Sequence, residues 1–237
     1  MIFDKQSARL SNSIVSQEKL AVFLAFIAGY LDAAGLLKWK IYVSFMSGNT
    51  TQLGVAFFNG KSAVIATTLT VIGCFVLGIY SGTCLSLWKE TKSQTIPFYI
   101  VAFLLIGYTA VSYYYPVQTL PAVAVIGFAT GIMNTIVTAV GNQKINTDFV
   151  TGTLNSLARN TAMLSMSTDD ENRKQYKENA IRLFLLWTGF LLGTAIAPVL
   201  LPFLKNWTFT LPAILLIVCA FLLTDFNFKT KSYVTEK

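Results

Sequence analysis

The sequence predicts an all-α, polytopic membrane protein: six transmembrane helices as two inverted three-span repeats, each with a short glycine-centred helix. Three observations lead there. Charge is scarce and missing from long blocks, the basic residues sort to alternate sides of the spans those blocks define, and one Ser/Thr-Gly phrase is written twice.

Of the 237 residues, 12% are charged and 54% are hydrophobic, where a soluble domain carries about 25% charged residues. Asp, Glu, Lys and Arg are absent from Ser62 to Trp88, Ser93 to Gln143, Leu183 to Leu204 and Asn206 to Thr224. A helix crosses a bilayer with about 20 mostly apolar residues. The longest block therefore holds two spans, parted by the turn-like "SYYYPVQTLP" around Pro116 and Pro121. The spans expected are Leu20–Leu37, Ala63–Leu87, Ile96–Tyr113, Leu120–Val140, Ile181–Leu201 and Trp207–Leu223. The first is preceded by a mostly polar segment and interrupted by Asp32, which argues against a cleaved signal peptide.

Placing the N-terminus in the cytoplasm with six spans puts 14 of the 18 Lys and Arg residues on the cytoplasmic side and Lys38, Lys40, Lys61 and Lys205 outside. This is the positive-inside bias. Counting both repeated phrases as further spans gives eight crossings and a poorer split, 12 to 6. The expected organisation is a cytoplasmic segment at 1–19, a first repeat at 20–115, a second at 116–224 with a cytoplasmic loop near 167–180, and a cytoplasmic tail at 225–237. The net charge of +7 is mainly an orientation signal that also favours anionic headgroups. The basic residues flank spans instead of clustering on a soluble module, so nucleic acid is not an expected partner. Trp39, Trp88 and Trp207 are expected interfacial anchors.

The two phrases are "SFMSGNTTQLG" from Ser44 and "DFVTGTLNSLA" from Asp148. Upstream, "GYLDAAG" from Gly29 meets "GIMNTIV" from Gly131, which sets Asp32 opposite Asn134. Phe45, Ser47, Gly48 and Leu53 then face Phe149, Thr151, Gly152 and Leu157. Each half reads span, phrase, span, span. Three crossings per half is odd, so the second half enters from the other side, as in inverted-repeat transporters. Ser44 and Asp148 suit a helix N-cap. The stretches after them are too polar to face lipid, and each is expected either to dip into the bundle as a half-length helix or to lie at the interface.

The candidate substrate- or ion-binding residues follow from these phrases: Asp32, Asn134, Ser47, Gly48, Asn49, Thr51, Thr151, Gly152, Thr153 and Asn155. Asp32 is the sharpest, because an acid within a span costs about 2.5–3.5 kcal/mol to insert. It reads either as a protonatable or cation-pairing group on a solute path, or as an acid paired with Lys38 or Lys40 or bonded to the second half. Gly48 and Gly152 serve either a polar solute at a helix N-terminus or tight packing. Asp148 and Arg159 form a candidate gate, against a cap and a headgroup-seeking arginine respectively. Gly78/Gly82, Gly127/Gly131 and Gly189/Gly193 read as small-xxx-small packing pairs.

Through "AGYLDAAG", "VSFMSGNTTQLG", "GFATGIMN" and "TDFVTGTLNSLAR" the chain resembles the YoaK-like bacterial inner-membrane proteins of unknown function. The resemblance covers most of the chain and implies a six-span protein of the inner membrane, with no activity attached. Asp148 departs from the neutral hydroxyl residue expected at its position.

Three function classes are open. A secondary transporter or channel for a small solute accounts for the repeat, the broken phrases and Asp32 together. A membrane scaffold or partner-binding subunit accounts for the glycines alone. An enzyme is not expected: there is no histidine and no carboxylate cluster to activate a nucleophile, and Cys74, Cys84 and Cys219 read as free thiols within spans. No metal or cofactor is expected. The expected partners are the lipid bilayer, a small-molecule or ion substrate and further copies of the chain.

Overall fold

The computed structural model describes residues 2–88, 95–137, 139–140, 143–144 and 150–221, with side chains for 17–88, 95–137 and 150–221. Helix α1 runs from Ile2 to Trp39, well upstream of the apolar boundary at Leu20. No Gly or Pro interrupts residues 2–28, so the polar start is as helix-competent as the apolar part. There follow α2 (Met46–Phe58), α3 (Ser62–Trp88), α4 (Ile96–Tyr114) and α5 (Thr119–Met133). Two-residue strands β1 (Ala139–Val140) and β2 (Gln143–Lys144) pair antiparallel, a minor departure from an all-helical reading. Then come α6 (Val150–Met166), α7 (Asp170–Leu204), a 3-10 helix at Lys205–Phe209 and a helical stretch at 210–221.

Two helix boundaries have visible causes in the sequence. Helix α5 stops at Met133 instead of reaching Val140, just before the β-branched run Thr135-Ile136-Val137-Thr138, where each residue loses side-chain freedom in a helix. The mixed-charge run after Ser167, which reads as a solvated loop or a short helix, enters α7. Asp169 accepts the Asn172 amide at 3.1 Å through its carboxylate, and Asp170 and Glu171 occupy the first turn, so the helix starts there.

Gln17–Trp39, Ser62–Trp88, Ile96–Tyr114 and Asp170–Phe221 are long and apolar enough to cross a membrane, and Thr119–Met133 is a shorter apolar helix. Large apolar side chains stand exposed along them, among them Leu77 on α3, Phe103 on α4 and Leu192 on α7. Outward apolar faces of this extent belong to a chain solvated by lipid. The protein is a polytopic membrane protein.

The chain forms two compact units, Met1–Tyr30 with Val137–Ile196, and Leu31–Ile136 with Ala197–Lys237. In the first, α1 crosses α7 at glycine. A methyl group on Gly29 would collide with the Phe190 carbonyl, one on Gly193 with the Phe26 carbonyl, and one on Gly189 would sit 2.8 Å from the Val22 carbonyl. Glu18 and Arg182 close the same pair of helices: Arg182 donates through Nε at 2.8 Å and through Nη2 to the Glu18 carboxylate.

In the second unit, α3 turns Thr68, Val71, Phe75, Gly78 and Gly82 inward at alternating three- and four-residue steps, the spacing of one helix face. That face packs on α5. A methyl on Gly78 would strike the Phe128 carbonyl and one on Gly131 the Phe75 carbonyl, so the two backbones touch. All three predicted small-residue pairs are thus packing contacts. Ile41, Val71 and Val123 form a core cluster beside them.

At one end of this unit, the Trp39 indole stacks on Phe209 at 5.5 Å, and Tyr108 meets both edge-on. Tyr113 lies 5.5 Å from Trp207, and Asn206 donates to the Ser112 carbonyl at 3.5 Å. The ends of α1 and α4 therefore meet at the 3-10 helix. The cysteines are free thiols, with Cys219 buried and Cys84 exposed on α3.

Candidate functional site

Asp32 and Gly35 are one turn apart on α1 and face the same segment, the irregular backbone between α1 and α2. Gly35 leaves room for it: a methyl there would sit 2.9 Å from both the Ile41 carbonyl and the Val43 side chain. Asp32, 2% exposed, holds it. Its Oδ1 accepts the amides of Val43 (2.8 Å), Ser44 (2.7 Å) and Phe45 (3.3 Å), and its Oδ2 accepts the Ser44 hydroxyl at 2.8 Å. Three successive N–H groups turned on one oxygen form a nest of the kind that holds anions. Here the anion is supplied by the chain itself. An ionised carboxylate only accepts, and every partner of Asp32 donates.

Neither lysine pairs with Asp32. The Lys38 ammonium donates instead to the Lys205 carbonyl at 2.9 Å. The expected Ser44 cap also gives way: Phe45 occupies the N-cap of α2 with no side-chain cap bond, because the Ser44 hydroxyl is spent on Asp32.

Two further side chains fix the segment. Asn49, fully buried, accepts the Tyr42 amide at 3.1 Å and donates to the Tyr42 carbonyl at 2.7 Å. The Thr130 hydroxyl on α5 donates to the Val43 carbonyl at 2.6 Å, with its own helix carbonyls farther away at 3.0 Å. Buried non-helical backbone survives only where such bonds satisfy it. Asn49→Ala is expected to lower stability by about 2–3 kcal/mol, since it orphans both polar groups of Tyr42. The near-isosteric Thr130→Val, which orphans one carbonyl, is expected to cost about 1 kcal/mol. Thermal unfolding of the purified protein in detergent measures both.

The other predicted residues are placed as follows. Gly48 sits under the rings of Phe45 and Tyr42. Ser47 and Thr51 are exposed, and the Thr51 hydroxyl returns to the Ser47 carbonyl at 3.1 Å. Asn134 occupies the C-cap of α5, and its buried Oδ1 meets no hydrogen-bond donor among the described residues. No bond joins it to Asp32. On α6, Thr151, Asn155 and Arg159 are exposed while Gly152 and Thr153 are half-buried. Asp148 lies outside the described residues, so the structure does not test its pairing with Arg159. What the structure brings together is Asp32, Asn49 and three residues that sequence reasoning passed over: Gly35, Tyr42 and Thr130.

Comparison with known proteins agrees with this picture of a membrane chain. The family described as "Protein of unknown function (DUF1275)" matches residues 20–222. The chain is 30% identical over 205 residues to "UPF0700 transmembrane protein RA0705" of Rhizobium meliloti, covering 85% of each. It is 26% identical over 148 residues to "UPF0700 transmembrane protein YoaK" of Bacillus subtilis, covering 58% of this chain and 64% of that one. No solved structure matches. The match over nearly the whole apolar part, from the first span to the last, makes this chain a member of the DUF1275 family of YoaK-like transmembrane proteins, whose function is unknown.

Proposed function

We propose that the protein is a secondary transporter or channel for a small solute, built from two inverted three-span repeats in the bacterial inner membrane with both termini in the cytoplasm. The observation that carries this reading is a matched pair of helix crossings. Gly29 packs on the Phe190 carbonyl and Gly193 on that of Phe26; Gly131 packs on the Phe75 carbonyl and Gly78 on that of Phe128. Phe26, Gly29 and Asp32 recur at one constant interval as Phe128, Gly131 and Asn134, and Phe75 and Gly78 recur at another as Phe190 and Gly193. The same four-residue contact is thus made twice, with the roles of the two sequence halves exchanged. An internal repeat predicts that exchange, and two unrelated helix pairs do not.

The span count has its own support. Six crossings place the ends of α1 and α4 and the 3-10 helix on one side; eight would put the end of α4 opposite the others. The Trp39–Tyr108–Phe209 and Tyr113–Trp207 contacts fit six. Helix α2, with 13 residues, is about 20 Å long, short of the roughly 30 Å of hydrocarbon. Asp170–Phe221 has 52 residues, enough for two crossings with the 3-10 break between them.

In this reading Ser47, Gly48, Asn49 and Thr51 form one polar surface and Thr151, Gly152, Thr153 and Asn155 its counterpart. Asp32 and Asn134 hold equivalent positions at their starts, and Asp148 and Arg159 gate the cytoplasmic side. Nothing in it calls for a catalytic step. One observation favours a second reading, a non-transporting scaffold: the Asp32 carboxylate is fully engaged by its own chain. Solute uptake and efflux profiling of cells with and without the protein separates the two. Transport predicts a changed flux for at least one small solute, reduced by Ser47→Val with Thr51→Val while the protein still reaches the membrane. Identical profiles across ions, amino acids, sugars and organic acids would leave the scaffold.

A further inference from the structure

We propose a binding site for the phosphate of an anionic phospholipid headgroup at the end of the second unit, formed by Lys38, Lys40 and Lys205 within a rim of exposed aromatics. This is independent of the transport reading. The first ground is charge. Among the described residues of that unit there are four lysines and one acid, and the acid, Asp32, is buried and spent on its own backbone nest. Three of the four lysines stand at the same end of the unit: Lys38 donates to the Lys205 carbonyl at 2.9 Å, and Lys40 directly follows Trp39, whose indole stacks on Phe209. Among the described residues of its own unit, no other carboxylate stands near the resulting positive patch.

The second ground is backbone conformation. Lys40 (φ 60°) and Lys205 (φ 50°) are the non-glycine residues with positive φ among those described. Each directly follows a long helix, at the position where glycine usually accepts a left-handed backbone. Both positions carry a cation where glycine would fit with less strain. Strained backbone at two cationic positions, each at the end of a long helix, is a mark of function.

The third ground is the surroundings. Trp207, 50% exposed, and Tyr113, 53% exposed, flank the lysines, and Tyr114 and Tyr115 extend the aromatic surface. Tryptophan, tyrosine and lysine at the ends of apolar spans are the side chains that settle at headgroup level. Lys38 is also steadied over the face of Phe209, 5.6 Å from the ring centre. Lipid accounts for all three features, because its phosphate meets the lysines while its glycerol region lies against the rings. A free anion has no use for the rings.

The test uses the purified full chain in detergent, titrated with phosphatidylglycerol or phosphatidylcholine of equal acyl length, with bound lipid counted by native mass spectrometry. Phosphatidylglycerol is expected to bind at least tenfold tighter. The double variant Lys40→Gly/Lys205→Gly suits the left-handed backbone and so preserves the fold; it is expected to weaken that binding roughly thirtyfold and leave phosphatidylcholine binding unchanged. Lys174→Ala/Lys177→Ala removes the same charge from α7 and is expected to change it less than threefold. Equal binding of the two lipids would overturn the proposal, as would equal losses in the two double variants. So would displacement of phosphatidylglycerol by millimolar inorganic phosphate, which would identify a free-anion site.

Discussion

Asp32→Ala is expected to destabilise the second unit by about 3–5 kcal/mol and Asp32→Asn by only about 1–2 kcal/mol. Alanine leaves the buried amides of Val43 and Ser44, the part-buried amide of Phe45 and the Ser44 hydroxyl without the carboxylate that accepts them, and each orphaned buried donor costs about 1–3 kcal/mol before relaxation. Asparagine keeps an oxygen where Oδ1 receives the amides of Val43, Ser44 and Phe45. Its amide nitrogen can donate to the Ser44 oxygen, reversing that bond. Unfolding in detergent, followed by thiol labelling of the buried Cys219, resolves the two variants. Comparable losses would mean that charge, not acceptor geometry, secures the backbone between α1 and α2. The pair also bears on transport. A carboxylate that exchanges protons or cations with a solute path is disabled by Asp32→Asn even when the fold is intact. An anchor keeps most of its function in Asp32→Asn and loses it in Asp32→Ala.

Gly131→Ala and Gly193→Ala should each cost about 1–3 kcal/mol, and leucine at either position should separate the helices and abolish the folded pair. The obstacle at Gly131 is the Phe75 carbonyl and at Gly193 the Phe26 carbonyl. A backbone oxygen cannot change rotamer to make room, so the strain passes to the whole helix pair. Gly73 on α3 and Gly107 on α4 are internal controls, since a methyl at either meets nothing within 4 Å. There alanine should be neutral or stabilising by about 0.5–1 kcal/mol, the ordinary gain over glycine within a helix. Melting curves of the four single variants are sufficient. Similar effects at Gly131 and Gly107 would contradict the backbone contact described between α3 and α5.

Much of the membrane architecture was legible because lipid imposes simple rules on composition. Charge-free blocks marked the long helices, and glycines four apart marked the faces where backbones meet. Asp32 stood out because an acid in a span must be accommodated somehow. Its partners were not legible. They are the amides of residues 43–45, a group that nearly every residue carries, so no side-chain pattern announces them. Thr130 was hidden for a related reason. Thr67, Thr68 and Thr109 bond to carbonyls of their own helices, and the sequence does not reveal that Thr130 bonds more closely to a segment 87 positions away. The helical starts of α1 and α7 lie upstream of their apolar parts because hydropathy locates where lipid begins, whereas helices continue until a cap or a breaker stops them. Asn134 aligns with Asp32 in the repeated phrase, yet a shared alignment column does not imply a shared contact, and no bond joins the two.

The nest around Asp32 also bears on how the protein is made. When the first span leaves the ribosome and meets the insertion machinery, its acid has no acceptor-satisfying partner, because the residues that supply one come 11 to 13 positions later. At 5–20 residues per second that interval lasts roughly a second. During it the helix carries an insertion penalty of about 2.5–3.5 kcal/mol, which is removed only when the following turn folds back onto it. The helix that carries Asp32 and the turn behind it are therefore coupled in folding, since the acid is satisfied only once both have emerged.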